Sequence, residues 1–192
     1  MSVLSLLLLA ALTTGVQDST PLALDVRVFR GATEVTRETN VVVFPTGART
    51  NGREVPLTPA GERQVRLNAG QYDLQLVQQQ DGKVGGIAWT TLRLLVGYPG
   101  ENGRHLEVLN FDKSFGALQL REYGGATPGA PTWQVRLLRK DGTEVARGVP
   151  GDGYRLVVAP AGVYDLAVDR PGRPLHLRDV EVKANLTYLR TF

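Results

Sequence analysis

The chain has 192 residues and a formal charge of +3, and it contains no cysteine. The absence of cysteine excludes disulfides, thiolate metal sites and a cysteine nucleophile. Its basic residues are mostly arginines placed singly among acidic residues, whereas a nucleic-acid-binding protein needs a clustered basic face with interleaved aromatic residues. Nucleic-acid binding is therefore not predicted, and these arginines are expected on solvated strand faces: Arg27, Arg30, Arg66, Arg93, Arg136 and Arg139.

The N-terminal stretch MSVLSLLLLAALTTG predicts a secretory signal peptide over residues 1–15. Its uncharged apolar run from Val3 to Leu12 and the small residues that follow have the layout of a signal core and a cleavage site. No Lys or Arg precedes the run, which is atypical of a signal peptide. The run is also shorter than the roughly 20 apolar residues that a membrane-spanning helix needs. We therefore expect an exported chain, periplasmic or secreted, without a transmembrane anchor after cleavage.

Beyond the signal segment, apolar and polar residues alternate with a period of two, which is typical of strands that bury one face. The alternating segments are residues 24–30, 64–67, 72–77, 91–96, 105–111, 117–123, 133–139, 154–158, 164–168, 175–182 and 186–192. Short turns rich in Gly and Pro separate them, and no amphipathic helix of useful length interrupts the series. The pattern predicts an all-β fold of the sandwich or barrel type.

An internal repeat divides the chain. The phrase AGQYDL at Ala69 to Leu74 recurs 92 residues later as AGVYDL at Ala161 to Leu166. Around it, residues 63–76 resemble 155–168, and residues 26–35 resemble 135–145 at an offset of 110. The copies differ in length between these blocks, as hairpin loops tolerate. The repeat predicts two tandem antiparallel β-sandwich modules related by internal duplication.

The predicted modules span residues 22–123 and 133–192, joined by a linker over 124–132 with the composition GGATPGAPT. The strand over 115–123 has two possible positions. It either forms a hairpin with the strand over 105–111, across the turn DKSFG, or it opens the second module.

The segment LVVAPAGVYDLAVDRPGRPLHLRDVEVKANLTYLRTF, residues 156–192, resembles the C-terminal half of bacterial carboxypeptidase-regulatory-like, or prealbumin-like (transthyretin-like), β-sandwich modules. Those modules carry a PAG-x-YDL-x-V strand, a Pro-Gly turn and a V-x-V-x-A-G strand end, where this chain has Asn185 in place of the last Gly. Asn also tolerates the left-handed conformation. The resemblance implies a β-sandwich. Prealbumin-like enzymes that hydrolyse a purine-derived ring end in Tyr-Arg-Gly-Ser, whereas this chain ends in YLRTF, which disfavours that activity.

No catalytic constellation is present, so we predict no enzyme, no catalytic residue, no metal and no cofactor. His105 and His176 lack a histidine partner at metal-ligand spacing. The glycine-rich stretch at 81–86 does not lead a helix, as a phosphate-binding loop must. The turns at 98–103 and 150–154 hold too few carboxylates for Ca²⁺.

The ligand-binding residues stay unassigned, although four aromatic residues are candidates for a binding face: Trp89, Trp133, Tyr98 and Tyr123. Trp133 begins an inward-facing row with Val135 and Leu137, so we expect it in the core. The segment NVVVFPTG at Asn40 to Gly47 is predicted either as a strand buried on both faces or as an edge that docks by strand addition.

Two function classes remain. The first is a non-enzymatic structural or binding module of the bacterial cell envelope with a protein or polysaccharide ligand. The second is an accessory subunit of an envelope enzyme or of a secretion assembly. An enzyme with loop-borne residues is less favoured. The sequence does not predict the oligomeric state. We expect functional residues where the two copies differ, at Asn40 to Glu62 and Tyr98 to Gly103.

Overall fold

The computed structural model describes residues 21–95, 104–123 and 131–192. These residues form strands and turns without any helix, so none of them forms a membrane-spanning helix. The prediction of an all-β fold is confirmed. The predicted signal peptide, the segment Tyr98 to Gly103 and most of the predicted linker lie outside the described residues.

In chain order the strands are β1 (Leu22–Arg30), β2 (Thr33–Glu34), β3 (Thr39–Pro45), β4 (Arg53–Glu54), β5 (Arg63–Leu67), β6 (Gly70–Gln80), β7 (Lys83–Leu94), β8 (Arg104–Asn110), β9 (Phe115–Arg121), β10 (Gln134–Leu138), β11 (Glu144–Arg147), β12 (Val149–Gly151), β13 (Tyr154–Pro160), β14 (Gly162–Asp169), β15 (Leu175–Val182) and β16 (Thr187–Thr191).

The first sandwich consists of two four-stranded sheets. In sheet A, β1 pairs antiparallel with β2 and β5 and parallel with β8. Sheet B has the order β4-β3-β6-β7. Alternate residues of both sheets point between them and form one apolar core, which includes Leu24, Val26, Val28, Val41, Val43, Leu74, Leu76, Leu92 and Leu94. Because side chains alternate along a strand with a period of two, each strand supplies one row of side chains to this core.

The second sandwich repeats this connectivity. Sheet C has the order β12-β13-β9-β16, and sheet D has the order β11-β10-β14-β15. In sheet C, β9 pairs antiparallel with β13 and parallel with β16, just as β1 pairs with β5 and β8. In sheet D, β14 lies between β10 and the hairpin partner β15, just as β6 lies between β3 and β7.

These pairings support one part of the repeat inferred from the sequence and contradict the other. Residues 63–76 and 155–168 occupy matching strands, β5–β6 and β13–β14. The proposed match of residues 26–35 with 135–145 is wrong, because β1 lies in sheet A and its counterpart is β9, whereas β10 lies in sheet D. The shared Val-Arg alternation reflects only the period of two that all strands have.

The strand β9 belongs to the second sandwich. The predicted hairpin between 105–111 and 117–123 does not form, because β8 pairs with β1 and β9 pairs with β13 and β16. The turn DKSFG instead carries the chain from one sandwich to the next. The predicted linker over 124–132 therefore connects β9 and β10, two strands of the same sandwich.

The two sandwiches pack against each other through sheets A and C. Their facing sides bury an apolar cluster that is separate from both sandwich cores, consisting of Phe29, Ala117, Tyr154, Leu156 and Val158. Leu106 and Val108 of β8 extend it. The strands β1 and β13 are consequently buried on both faces, and the sheets stack in the order B, A, C, D.

Candidate functional site

The tyrosine of each AG-x-YDL phrase has a structural role. The Tyr72 hydroxyl donates to the carbonyl oxygen of Asn68 at 2.8 Å, and the Tyr164 hydroxyl donates to that of Pro160 at 3.0 Å. In both sandwiches the bond reaches back four residues and fastens the tight turn that precedes the strand. The aliphatic residues of the phrase lie in the sandwich cores, as predicted.

The aspartate of each phrase ties two neighbouring segments together. Asp73 accepts hydrogen bonds from the Gly47 backbone at 3.1 Å and from the Thr91 hydroxyl at 2.9 Å. Asp165 accepts from Lys140 Nζ at 2.8 Å and from the Asp179 backbone at 3.2 Å. The bond from Gly47 lowers the pKa of Asp73 most, and the bond from Lys140 lowers that of Asp165 most. The repeated AG-x-YDL phrase thus has a structural role: its side chains hold neighbouring turns and strands together.

The polar groups that converge in this fold lie at the junction of the sandwiches. Asp25 and Arg27 project from β1 on the same side as Phe29, and both are at least 95% buried. Arg27 contacts both carboxylate oxygens of Glu34 and donates from Nη1 to the carbonyl oxygen of Pro150 in the second sandwich, at 3.0 Å. The expectation that Arg27 lies on a solvated face is wrong, because sheet C covers that face.

Arg104 links a buried carboxylate of the first sandwich to the second sandwich. Its Nε lies 2.9 Å from Asp25 Oδ2, and its Nη1 lies 2.5 Å from Asp152 Oδ2. Gln64 donates to the other oxygen of Asp25 at 2.6 Å. Asp25 therefore fixes the positions of both Arg104 and Gln64, in the way that a buried carboxylate commonly orients the groups around a binding site.

Glu62 and Tyr154 form the third connection across the junction. The Tyr154 hydroxyl donates to Glu62 Oε1 at 3.2 Å. Burial and the negative charge of Asp25 raise the pKa of Glu62, and burial and the charge of Glu62 raise the pKa of Tyr154. Any side chain at Gly151 would overlap the Tyr154 ring, so this glycine permits the ring to pack against the β12–β13 turn.

These groups line two adjoining clefts. The larger has a volume of about 500 Å³ and is lined by Thr58, Ala60, Glu62, Gln64, Arg104, Pro150, Gly151 and Asp152. The smaller, of about 370 Å³, shares Ala60, Glu62 and Pro150 with it. Volumes of this size are typical of small-ligand pockets, and polar groups that converge on such a cleft mark a candidate site.

The clefts are lined in part by the end of one segment in which the two sequence copies differ. Residues 58–62 end the segment Asn40 to Glu62, and Arg104 directly follows Tyr98 to Gly103. The turn at 150–154, which holds too few carboxylates for Ca²⁺, supplies Pro150, Gly151 and Asp152 to the opposite wall. Sequence reasoning missed Asp25, Arg27 and Tyr154, because alternation alone cannot tell a solvated face from one that another sheet covers.

The other aromatic candidates for a binding face do not line the clefts. Trp133 lies in the second core, as predicted, with its ring centroid 5.1 Å from that of Phe192. Trp89 is 36% exposed on the outer side of sheet B, where the guanidinium of Arg49 lies 4.6 Å from its ring centroid. Tyr123 is exposed.

The two histidines do not come together. His105 lies on β8 with Nε2 3.2 Å from Glu107 Oε2, and His176 is exposed on β15. Within residues 21–95, 104–123 and 131–192, no three His, Asp or Glu side chains form a group suited to a metal ion.

No family model matches the chain, and no curated protein matches it. Among solved structures, the chain is similar to the Bacillus anthracis TIE protein (16% identity, TM-score 0.33, covering 90% of this chain and 34% of that one). It is also similar to a streptococcal ancillary pilin (14% identity, TM-score 0.34, covering 91% and 62%). A third is a DUF3823 family protein from Parabacteroides merdae (14% identity, TM-score 0.35, covering 86% and 100%). The chain spans about a third of the first protein's length, and these similarities concern the fold alone.

Proposed function

We propose that this chain is an exported, non-enzymatic β-sandwich protein that serves as a structural or binding module of the bacterial cell envelope. The observation that carries the proposal is the junction between the sandwiches. An apolar cluster and three cross-junction hydrogen bonds, from Arg27, Arg104 and Tyr154, join them. Buried apolar contact of this kind opposes the relative motion that is otherwise expected between domains.

The chemistry of the clefts favours recognition over catalysis. Among the residues that the structure describes, the lining of the clefts includes no serine, cysteine or histidine that could act as a nucleophile or base. The carboxylate of Glu62 already accepts from Tyr154, and Asp152 is paired with Arg104. Preorganised donors and acceptors beside an open volume suit a polar ligand, so a protein loop or a polysaccharide of the envelope fits this site best.

Export rests on the predicted signal peptide at residues 1–15. Fusion of residues 1–20 to a reporter enzyme that is active only after translocation tests it, with the apolar run interrupted by Leu8→Arg as the control. We expect activity from the natural segment and none from the control. Retention of the natural fusion in the cytoplasm contradicts the proposed location.

Duplication of an ancestral carboxypeptidase-regulatory-like module accounts for the repeated connectivity. In support, Arg63 and Arg155, at the starts of β5 and β13, are both buried and both donate to backbone carbonyl oxygens. Tyr72 and Tyr164 repeat the bond described above at the same offset. The same sheet order can arise independently in unrelated sandwiches. Equivalent side-chain hydrogen bonds that recur in both sandwiches 92 residues apart favour common descent.

The binding role is tested by blocking the clefts. Ala60 is exposed and lines both clefts, so Ala60→Trp fills their shared wall without removing a native bond, and Ala60→Ser is the matched control. The purified chain is applied to an array of envelope polysaccharides and to immobilised envelope proteins. We expect a ligand that is retained by the natural chain and by Ala60→Ser but not by Ala60→Trp. Equal retention by all three excludes the clefts as the binding site.

A further inference from the structure

The strand β7 is the edge of sheet B, since in the described parts of the chain it pairs only with β6. It runs for 12 residues, and its exposed side chains include Val84, Ile87 and Trp89. Near its beginning, Arg30 approaches the Gly85 carbonyl oxygen at 3.4 Å. The open part of the edge is therefore Ile87 to Leu94. Long apolar edges of this kind are templates for pairing with another chain, and proteins usually protect them.

The matching edge of the second sandwich is protected. The strand β15 occupies the same position beside β14, but it carries exposed charged residues and a register shift in the middle of its pairing. The register shift of the β6–β7 pairing lies at Gln78 and Gln79, outside the open part of β7. Asp179 within β15 has a positive φ of 56° and accepts a bond from Lys140. A bulge and charges prevent a further strand from adding. The edge strand is thus blocked against the addition of a further strand in the second sandwich, whereas it is accessible in the first.

The charges around β7 indicate what the edge accepts. The strand has no acidic residue and carries Lys83 and Arg93 near its ends, and Arg49 lies over Trp89. The neighbouring carboxylates are Asp73, which is bonded to Thr91 and Gly47, and Asp81 in the turn before β7. Cross-strand pairs favour apolar side chains opposite apolar ones and opposite charges facing each other.

We propose that β7 adds a strand from a partner protein, an extended segment with apolar side chains opposite Ile87 and Trp89 and acidic side chains near Arg93 and Lys83. Main-chain hydrogen bonds along the edge provide the affinity, and the alternating side chains provide the selectivity. Two copies of β7 pair less well, because like charges oppose each other when the strands are centred on Ala88: Lys83 then faces Arg93. This surface lies on sheet B, away from the clefts, and the inference does not depend on them.

The test uses a synthetic peptide as long as the 12-residue β7 strand, with alternating valine and threonine and a glutamate near each end. The matched control peptide has lysine in place of glutamate. Amide hydrogen exchange of the full chain is measured with each. We expect slower exchange over Ile87 to Leu94 with the glutamate peptide, and binding at least about tenfold weaker with the lysine peptide.

The variant Ile87→Lys places a charge on the edge, and Val163→Lys is its control, since both side chains are exposed apolar residues on strands. We expect only Ile87→Lys to abolish the exchange effect, and both variants to keep the natural circular dichroism spectrum.

Equal binding of the two peptides, or unchanged exchange with both, overturns the proposal. So does a dimer of the chain alone that Ile87→Lys dissociates, or protection of β7 by a neutral polysaccharide. The Ala60→Trp variant should bind the peptide normally, which separates this inference from the clefts.

Discussion

The hydroxyl of Tyr154 in the second sandwich donates to the carboxylate of Glu62 in the first, with 3.2 Å between the oxygens. Burial raises the pKa of Glu62, and the negative charge of Asp25 raises it further. A carboxylate thus lies where its ionised form is disfavoured, in the contact that joins two otherwise complete sandwiches. The junction is therefore sensitive to the charge of a single residue.

The first prediction concerns Glu62→Gln. Because the pKa of Glu62 is higher in the folded chain than its ordinary value of 4.5, the folded state holds its proton more tightly. The stabilising effect of that proton is present at low pH and is lost as pH rises from the ordinary value through the folded pKa. Glutamine keeps the acceptor for Tyr154 without the charge. We expect Glu62→Gln to raise the Tm relative to the natural chain, by an amount that grows with pH over this window.

Thermal melts of both proteins from about pH 4 to about pH 8 check this outcome. The control is Glu181→Gln, a substitution of an exposed residue on β15. A Tm difference that shrinks as pH rises would show that ionised Glu62 stabilises the junction, which contradicts the account.

The apolar part of the junction gives a second prediction. Phe29 is 1% exposed and contacts no core other than the junction cluster. We expect Phe29→Ala to lower the free energy of unfolding by about 3 to 5 kcal/mol, in the range of buried Phe truncations. It should also uncouple the sandwiches, because their own cores remain intact.

The two tryptophans make the uncoupling measurable, since Trp89 lies in the first sandwich and Trp133 in the second. Denaturant titrations of Trp89→Phe and Trp133→Phe proteins follow one sandwich each. In each protein the fluorescence midpoint is compared with the far-ultraviolet circular dichroism midpoint of the same protein, because Trp133→Phe itself lowers stability. We expect coincident midpoints with Phe29 and separated midpoints with Phe29→Ala. Val163→Ala, at an exposed position, should change neither. Coincident midpoints in the Phe29→Ala background count against coupling through this cluster.

The sequence shows the strands and their inward rows, because a period of two is set by the strand backbone itself. It also shows the equivalence of β6 and β14, since both carry the same turn, tyrosine and aspartate. The partner of β9 and the burial of Arg27 cannot be read in this way. Both depend on sheet A packing against sheet C, and LDVRVFR has the same alternation whether its polar face meets water or another sheet.

The hydrogen bonds of Tyr72 and Tyr164 predict that removing either hydroxyl lowers the stability of the chain by the same amount. Tyr72→Phe and Tyr164→Phe each remove one hydroxyl bond to a carbonyl oxygen four residues earlier. We expect each to lower the free energy of unfolding by about 1 kcal/mol. The double variant should lose the sum, because the sites are far apart and share no partner. Denaturant unfolding measures these differences, with the exposed Tyr123→Phe as a control that has no effect. If only one of the two single variants lowers the free energy of unfolding, the two tyrosines are not equivalent, which counts against duplication.

The aspartates of the repeated phrase predict an acid-sensitive fold. Hydrogen bonds lower the pKa of Asp73 and Asp165 below the ordinary value of 3.8. A lowered pKa stabilises the folded chain above the ordinary value, and that stabilisation is lost as pH falls through the folded pKa. We expect Asp73→Asn and Asp165→Asn to lower the Tm at neutral pH, with the difference vanishing in acid. A Tm difference independent of pH would show that the carboxylate charge has no part in the fastening.

Residual dipolar couplings of the backbone amides test the central claim, which is that the two sandwiches form one rigid unit. Couplings from residues 22–95 and 104–110 of the first sandwich, and from residues 115–123 and 131–191 of the second, are fitted separately. A rigid junction predicts the same alignment tensor, in magnitude and orientation, for both sandwiches. Two tensors of different magnitude, with the second sandwich averaged by motion relative to the first, would contradict the claim.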